Sequence, residues 1–147
     1  FTATAKLQLI AKDQNQLGGI IMMGLDYSAL VVKRVGDEFQ LQQITCHKAD
    51  KKGTEEVKVL ATFAPTSADK IDYQPALHHS SYLRMVVKQG KVNFYFSKDG
   101  KSFKKVGDEF TMREGKWIGA KVGMVAQEPA GKTNRGWIDV DWFRITK

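Results

Sequence analysis

Alternation of apolar and polar residues runs through this chain and restricts it to β-structure. In the first segment the apolar side chains of Ala5, Leu7, Leu9 and Ala11 fall at every second position, with Lys6 between them. Such residues lie on one face of a strand, since successive side chains point to opposite faces. No window shows the sustained apolar spacing of a surface helix. The sequence therefore predicts an all-β protein, with strands separated by turns as in a sandwich or barrel.

A few segments carry sharper predictions. The apolar run 18–24 suits a strand that is buried on both faces. Residues 64–81 show no period and contain two prolines, which predicts a long surface loop of functional interest. Asp99-Gly100 predicts a tight type I′ hairpin turn. In the last strand, predicted over 137–146, Trp142 shares a face with Val140 and is therefore expected in the core.

One pentapeptide occurs twice, as Val35-Gly36-Asp37-Glu38-Phe39 and as Val106-Gly107-Asp108-Glu109-Phe110. The flanking residues do not match, so gene duplication is not indicated. Glycine and aspartate favour a bend, and the phenylalanine would re-enter the core. The repeat predicts the same turn chemistry at two places.

Composition narrows the function classes. The 147 residues suit one domain, 1–147, and 42% of them are apolar. Cys46 is the one cysteine, which excludes an intrachain disulfide and a zinc site built on paired cysteines. The net charge of +7 is spread over scattered lysines, which favours a solvated sheet face over nucleic-acid binding. No apolar run approaches the roughly 20 residues of a membrane span. We expect a secreted or periplasmic protein, processed or excised because it begins at Phe1.

Four motifs stand in a fixed order in the second half of the chain. They are Tyr82-Leu83-Arg84, the hairpin segment 97–103, the segment 117–123 (Trp-Ile-Gly-Ala-Lys-Val-Gly) and Asp141-Trp142-Phe143. Together they resemble the C-terminal β-sandwich that follows the catalytic propeller in many family 43 glycoside hydrolases, of the β-xylosidase and arabinofuranosidase type. Gly24-x-Asp26-Tyr27 extends the resemblance more weakly upstream.

The resemblance implies a fold and a role. The fold would be a concanavalin-like, lectin-like jelly roll of antiparallel strands, whose opening strand would lie before Phe1. Because the catalytic carboxylates of that family belong to the propeller, the chain would be an accessory module without catalytic residues. Its partners would be a glycoside hydrolase catalytic domain and a xylo- or arabino-oligosaccharide.

Aromatic side chains are the candidates for sugar binding. β-Sandwiches stack an exposed aromatic ring on the apolar face of a pyranose, and polar groups read the hydroxyls. Trp117 and Trp137 lie at strand entries and Tyr73 lies in the predicted loop, so the candidate platform is Trp117 or Trp137, with Tyr73. The alternative is that each packs in the core, as aromatic residues commonly do.

Acidic residues of the last strand suggest two further sites. Asp139 and Asp141 would project from one face roughly 6–7 Å apart, a spacing compatible with glycoside hydrolysis. The segment 141–144 also resembles a strand that holds a structural Ca²⁺ in concanavalin-like sandwiches, which makes Asp141 the candidate ligand. The alternative is an ion pair of Asp141 with Arg144 or Arg84, or a backbone hydrogen bond.

Three functions follow from these observations. The leading hypothesis is a non-catalytic sandwich that braces the catalytic domain of a xylan- or arabinan-degrading enzyme. The second is an independent carbohydrate-binding module or lectin-like protein. The third is a stand-alone enzyme that uses Asp139 and Asp141. A large exposed apolar patch would favour bracing, whereas an exposed tryptophan in a polar groove would favour binding.

Overall fold

Two antiparallel β-sheets pack face to face in the computed structural model, which describes residues 1–71, 73–117, 119–131 and 134–147. The all-β prediction is confirmed. None of the described residues forms a helix long and apolar enough to cross a membrane. The strands are β1 (Thr2–Ala11), β2 (Leu17–Met23), β3 (Tyr27–Val35), β4 (Glu38–Cys46), β5 (Glu55–Phe63), β6 (Ser67–Ile71), β7 (Gln74–Lys88), β8 (Lys91–Ser97), β9 (Lys104–Thr111), β10 (Lys121–Gln127) and β11 (Trp137–Thr146).

The strand order of each sheet is set by long-range pairing. The six-stranded sheet has the order β11-β1-β7-β8-β9, and β6 pairs with the first part of β7. The five-stranded sheet has the order β10-β2-β3-β4-β5. A single turn of 3₁₀ helix, Ala49–Lys51, interrupts the connection from β4 to β5. The apolar alternation over 118–126 also predicts a strand, which corresponds to β10, and its first residue, Ile118, lies outside the described residues.

The core lies between the inner faces of the two sheets. The predicted apolar face of β1 is confirmed, because Ala5, Leu7, Leu9 and Ala11 are all buried. Each fully buried leucine or phenylalanine contributes about 1.5–3 kcal/mol relative to an exposed one. The main core cluster also includes Ile20, Met22, Leu30, Val32, Phe39, Leu41, Leu83, Met85, Val87, Val92, Phe94, Phe96 and Phe110.

Strand β2, which lies between β10 and β3, is buried on both of its faces, as its apolar run predicts. Ile20 and Met22 point into the main core, and Leu17 and Ile21 belong to a second, smaller apolar cluster. This second cluster lies on the outer face of the five-stranded sheet. Gly19 lies between them and leaves no room for a side chain, because a Cβ there would meet the Leu30 carbonyl oxygen at 2.1 Å.

A β-bulge in the last strand changes which side chains face the core. β11 matches its predicted limits, but Leu7 pairs with Val140 whereas Lys6 pairs with Trp142, so Asp141 is an extra residue. A bulge inverts the alternation beyond it. The prediction that Trp142 shares the core face with Val140 is therefore wrong: Phe143 packs on the core and Trp142 lies on the outer face.

A second bulge divides β5 in the same way. Gln42 pairs with Val59 and Leu41 pairs with Ala61, which leaves Leu60 as the extra residue. Ala61 and Phe63 therefore pack against the core, whereas Val57 and Val59 point outwards and are about half exposed. The strand itself matches the sequence prediction, but its bulge is not visible in the alternation.

Residues 64–81 do not form the predicted long loop. They form β6, a turn, and the start of β7, whose 15 residues make it the longest strand. The polar/apolar alternation is not visible in this segment because two residues of the same type, His78 and His79, point to opposite faces. His79 is buried, whereas the Nε2 atom of His78 lies 2.8 Å from Asp69 Oδ1 on the outer face. The prolines are tolerated because β6 and this part of β7 extend past the end of β1.

The turn between β8 and β9 agrees only in part with the sequence prediction. Asp99 is not in the left-handed region, so the predicted type I′ turn at Asp99-Gly100 is wrong, although β8 and β9 do form a hairpin. The Asp99 carboxylate instead accepts hydrogen bonds from the backbone N–H groups of Lys101 and Ser102 and organises a wider turn. These contacts, led by that of Ser102, lower the pKa of Asp99 to about 2.

The repeated pentapeptide serves two purposes. Its first copy contains the two-residue turn between β3 and β4, at Gly36-Asp37. Its second copy lies within β9, where the register shifts and residues 107–109 bulge, so the prediction of a second turn is wrong. Both phenylalanines, Phe39 and Phe110, are buried as predicted.

A histidine is buried in the core with one ring nitrogen unpaired among the described residues. The ring of His79 lies 5.4 Å from that of Phe39 and 5.2 Å from that of Phe63. Its Nδ1 atom accepts or donates no hydrogen bond within the described residues. Burial, with a smaller contribution from the Lys98 ammonium, lowers the pKa of His79 to about 4.

The buried histidine predicts a pH-dependent free energy of unfolding. The unfolded chain binds a proton at His79 near pH 6.5 and the folded chain does so only near pH 4, so stability falls as the pH drops between these values. In the His79→Leu variant, the free energy of unfolding should decrease by about 1–2 kcal/mol less over this pH range than in the parent. Urea unfolding at pH 7, 5.5 and 4 measures it. The matched control is His78→Gln, which should retain the slope, and an unchanged slope in His79→Leu would contradict a neutral buried ring.

Candidate functional site

The three aromatic residues predicted for sugar binding reach solvent to different degrees. Tyr73 is 96% exposed and Trp117 is 92% exposed, so neither packs in the core. Trp137 is 39% exposed and lines a cleft. The alternative that each of them is a core residue is not supported by this arrangement.

These residues do not form one platform. Trp137 pairs with Ile10, close to the end of β1, and Tyr73 lies in the β6–β7 turn beyond the same end. Trp117 lies in the connection that enters β10 at Lys121, which pairs with Met23 at the far end of β2. Because β1 ends where β2 begins, Trp137 and Tyr73 share one end of the sandwich and Trp117 occupies the other.

A buried glutamine organises the cleft beside Trp137. Gln16 Oε1 accepts hydrogen bonds from the N–H groups of Lys12 (2.9 Å) and Asp13 (3.0 Å). Its Nε2 donates to the carbonyl oxygen of Asn134 at 2.5 Å and to Glu128 at 3.4 Å. The cleft measures about 200 Å³ and also includes Leu9, Leu17 and Gly136. Gln16 therefore fixes the approach to Trp137, a role that no pattern in the sequence indicates.

A buried carboxylate organises the opposite end, where Trp117 lies. Asp26 Oδ1 accepts hydrogen bonds from the Lys48 N–H at 2.7 Å and from an Arg113 guanidinium nitrogen at 2.5 Å. Asp26 Oδ2 lies 3.1 Å from His47 Nδ1. The Arg113 hydrogen bond is the main reason why the pKa of Asp26 lies well below its usual range, and it outweighs the effect of burial. Asp50 adds a second, longer ion pair to Arg113.

Backbone contacts complete this arrangement, which we call the Asp26 hub (Gly24–Asp26, His47–Asp50 and Arg113). The Leu25 N–H donates to the Arg113 carbonyl oxygen at 3.1 Å, and a Cβ on Gly24 would lie 1.9 Å from that oxygen. The hub ties the β2–β3 turn, the 3₁₀ segment and the start of the Trp117 connection together. The motif Gly24-x-Asp26-Tyr27 is the sequence signal for it, although the motif alone assigns no partner.

The acidic residues of β11 lie on the outer face of the six-stranded sheet. Asp139 and Asp141 line a cleft of about 330 Å³ with Lys6, Gln8 and Ser80. Asp141 Oδ2 lies 2.7 Å from Lys6 Nζ, an ion pair that replaces the expected partners Arg144 and Arg84. Calcium takes six to eight oxygen ligands, whereas here an ammonium group already compensates the carboxylate. Among the described residues no three of His, Cys, Asp and Glu come together as a metal site, and Asp141 as a calcium ligand stays a prediction.

The outer face of the five-stranded sheet is apolar across its width. Aligned residues of neighbouring strands form two adjacent rows, which we call the outer apolar band. One row runs Ile21, Ala29, Ile44, Val57 and the other runs Val125, Gly19, Val31, Gln42, Val59. Val57 and Val59 are 54% and 52% exposed at one end of the rows.

The centre and the margins of this band differ in polarity. Gln42 is buried in it, and its Oε1 atom has no hydrogen-bond partner among the described residues. On one flank Tyr27 donates a hydrogen bond to Glu55, and on the other Lys33 and Gln40 pair across the strands. The margin is therefore polar around an apolar centre.

The outer face of the six-stranded sheet is different. Trp142 lies there with its ring 6.1 Å from that of Tyr82, and the Arg144 guanidinium covers it at 4.4 Å. Arg84 stacks on Phe103 at 3.5 Å and donates to the Thr4 hydroxyl at 3.0 Å. This face is polar and basic, as expected for a sheet surface in water.

Comparison with known families identifies the sandwich. A family model described as the beta-xylosidase C-terminal concanavalin A-like domain matches residues 1–146. The chain belongs to this family. The resemblance drawn from the C-terminal motifs is therefore confirmed, and so is the concanavalin-like fold. The domain is one that family 43 glycoside hydrolases carry, which is consistent with an accessory role.

Individual relatives are more distant. A beta-xylosidase of Formosa agariphila is 39% identical over 62 residues, which are 42% of this chain and 10% of that protein. The family 43 protein BlXynB of Bacillus licheniformis aligns with a TM-score of 0.63 at 20% identity, over 97% of this chain. A bifunctional GH43-CE protein of Bacteroides eggerthii aligns with a TM-score of 0.68 at 15% identity, also over 97%. The chain spans 26% and 17% of these two structures, so the likeness concerns the fold of one domain.

The Asp26 hub predicts a large loss of stability on neutralising one carboxylate. Asp26→Asn removes the charge that pairs with Arg113, and the cost should be about 2 kcal/mol, less than for a fully buried pair because Arg113 is half exposed. Because the folded pKa is depressed, the Asp26 contribution is present above about pH 4 and lost as the pH falls further. Urea unfolding at pH 7 and pH 2.5 should show a smaller difference between variant and parent at the lower pH.

A matched control separates the hub from charge in general. Asp37→Asn changes a fully exposed carboxylate 3.9 Å from Arg34 and should cost less than about 0.5 kcal/mol at either pH. An Asp26→Asn variant as stable at pH 7 as this control would contradict the structural role of the hub.

Proposed function

We propose that the chain is a non-catalytic accessory domain that braces the catalytic domain of a xylosidase- or arabinofuranosidase-type glycoside hydrolase. The outer apolar band is the surface that docks on that domain. Membership of the C-terminal domain family supports a catalytic domain as the partner. The beta-xylosidase activity belongs to the relative from Formosa agariphila, and it suggests the substrate class of the whole enzyme.

The outer apolar band is the observation that carries this proposal. An antiparallel sheet normally presents a polar outer face to water, as the six-stranded sheet does. The five-stranded sheet instead carries two apolar rows on its outer face. Ile21, Ala29, Val31 and Ile44 are already buried in the isolated chain, and the rows end in the half-exposed Val57 and Val59. An apolar centre with a polar margin is the usual anatomy of a protein interface.

The alternative of a stand-alone enzyme lacks its chemical requirements. Glycoside hydrolysis needs a carboxylic acid whose pKa is raised by an apolar, desolvated site. Asp141 is well exposed and paired with Lys6, and Asp139 is also exposed. Neither carboxylate has the surroundings of a general acid.

The bracing role predicts that two conservative substitutions weaken docking without unfolding the domain. Val57→Thr with Val59→Thr keeps the β-branched shape and removes apolar surface, so the dissociation constant for the host enzyme's separately produced catalytic domain should rise at least about tenfold. The melting temperature of the chain should change little, because both valines are half exposed. Calorimetric titration and thermal unfolding measure the two quantities.

Ile145→Thr provides the matched control for that experiment. Ile145 is 55% exposed on β11 of the other sheet, so the substitution removes a comparable apolar surface away from the band. It should leave the dissociation constant unchanged. Equal weakening by both changes, or no binding by the parent chain, would overturn the role assigned to the band.

A second candidate function, sugar binding, is favoured by the Trp137 cleft. An indole ring beside Gln16 and Glu128 combines a stacking surface with polar groups that can read hydroxyls. Exposed Tyr73 lies at the same end of the sandwich. Trp117, at the other end, is the alternative single-residue platform.

The sugar-binding candidate predicts saturable tryptophan quenching by xylo-, arabino- or gluco-oligosaccharides. Trp137→Ala should weaken binding about tenfold or more if its cleft is the platform. Trp117→Ala tests the opposite end, and Trp142→Phe is the control, because Trp142 is covered by Arg144. The same mixtures are assayed for released sugar. Absence of quenching by every sugar would remove this candidate and leave the docking experiment to decide the bracing role.

A further inference from the structure

The sandwich has an open side that neither proposed function uses. There β5 and β9, the last strands of their sheets, face each other without pairing. A cleft of about 620 Å³ lies between them, within the size range of small-ligand pockets. Its lining is largely apolar and includes Leu60, Ala61, Phe63, Phe96 and Val106.

Polar contacts between the two sheets fix the positions of β5 and β9 at one end of this cleft. Gln43 Nε2 donates to the Asp108 carbonyl oxygen at 2.9 Å, and the Asp108 N–H donates to Gln43 Oε1 at 2.8 Å. Lys58 Nζ lies 2.9 Å from the Asp108 carboxylate. These bonds join β4 and β5 to the bulge of β9, so the strands are fixed beside the cleft.

The apolar wall of the cleft has a flat aromatic part. The rings of Phe63 and Phe96 lie 5.0 Å apart and within 14° of parallel, and Phe63 is half buried. His79 stacks on Phe63 from the core, at 5.2 Å. A planar apolar ligand gains the most contact with such a wall, since offset-stacked rings are favoured.

The rim of the cleft is positively charged. Lys104 pairs with Phe96 on the neighbouring strand and lies two positions before the half-buried Val106. Because side chains alternate along a strand, Lys104 lies on the inner face of β9. Lys98 places its ammonium 5.0 Å from the Phe63 ring centroid, and Lys105 also lines the cleft. Neither Lys98 nor Lys104 has an ion-pair partner in the described part of the chain, whereas Lys105 points to the opposite face of β9, where its charge acts on Glu109.

The acidic residue on the rim, Asp99, offsets part of this positive charge. The Asp99 carboxylate is engaged by the N–H groups of Lys101 and Ser102 and by the Ser97 hydroxyl, within its own turn. An inward-pointing lysine also protects an edge strand from pairing with another chain. Edge protection alone would therefore be a sufficient reason for a lysine at position 104. Edge protection does not account for the apolar cleft behind it.

We propose that this cleft binds an aromatic carboxylate. The ring would lie against Phe63 within the cleft, and the carboxylate would lie between the ammonium groups of Lys98 and Lys104. An apolar wall with a few placed charges is the usual composition of a small-molecule site. This inference is independent of docking through the outer apolar band, which lies on a different face.

Naphthoate is the probe for this site, and naphthylmethanol is its uncharged counterpart. Calorimetric titration of the chain at low ionic strength should show naphthoate binding at least about fivefold more tightly than the alcohol, because the ammonium groups of Lys98 and Lys104 attract the anion. Lys104→Gln should weaken naphthoate binding about threefold. Backbone amide resonances of β5 and β9 should shift on addition of naphthoate.

Two control variants make the test specific. Lys91→Gln removes a lysine that pairs with Glu109 away from the cleft, and it should leave the naphthoate affinity unchanged. Val57→Thr with Val59→Thr should also leave it unchanged, which separates the cleft from the outer apolar band. The proposal is overturned if naphthoate does not bind, if the alcohol binds equally well, or if the shifted resonances map to the outer apolar band.

Discussion

Burial of one face of each sheet against the other is the constraint on which the rest of this structure depends. Because side chains alternate along a strand, the burial of Ala5, Leu7 and Leu9 also dictates that Lys6 points outwards. The two outer faces are then free to differ. One has become polar and basic, whereas the other carries the outer apolar band. The functional asymmetry of the domain follows from this difference between the faces that do not form the core.

Alternation in the sequence is sufficient to predict the all-β class, the limits of β11 and the inner face of β1. It also identifies β2 as a strand buried on both faces, which is the first sign of an apolar outer surface. The motifs of the C-terminal half predict the family. These successes share a cause: each rests on local periodicity or on turn residues whose chemistry does not depend on distant partners.

The failures share a cause as well. Bulges at Leu60 and Asp141 invert the alternation, and the sequence carries no local mark of them, so Trp142 was expected in the core and Val57 was not recognised as a surface residue. Gln16 and Asp26 acquire their roles from partners more than 80 residues away. A pattern read within one strand cannot show such contacts. The exposure of Trp117 and Tyr73 likewise depends on where their turns lie in the assembled sandwich.

The pairing of the first strand with the last also has a consequence for how the chain reaches this structure. β1 lies between β7 and β11, and Thr2 pairs with Thr146. β1 therefore has no neighbour in its own sheet until β7 has been synthesised, and its other neighbour, β11, follows later still. Folding of domains dominated by such distant pairings is slow, because the entropy of closing long loops is lost before the contacts form. The apolar residues of β1 must stay in contact with solvent or with a chaperone throughout that interval.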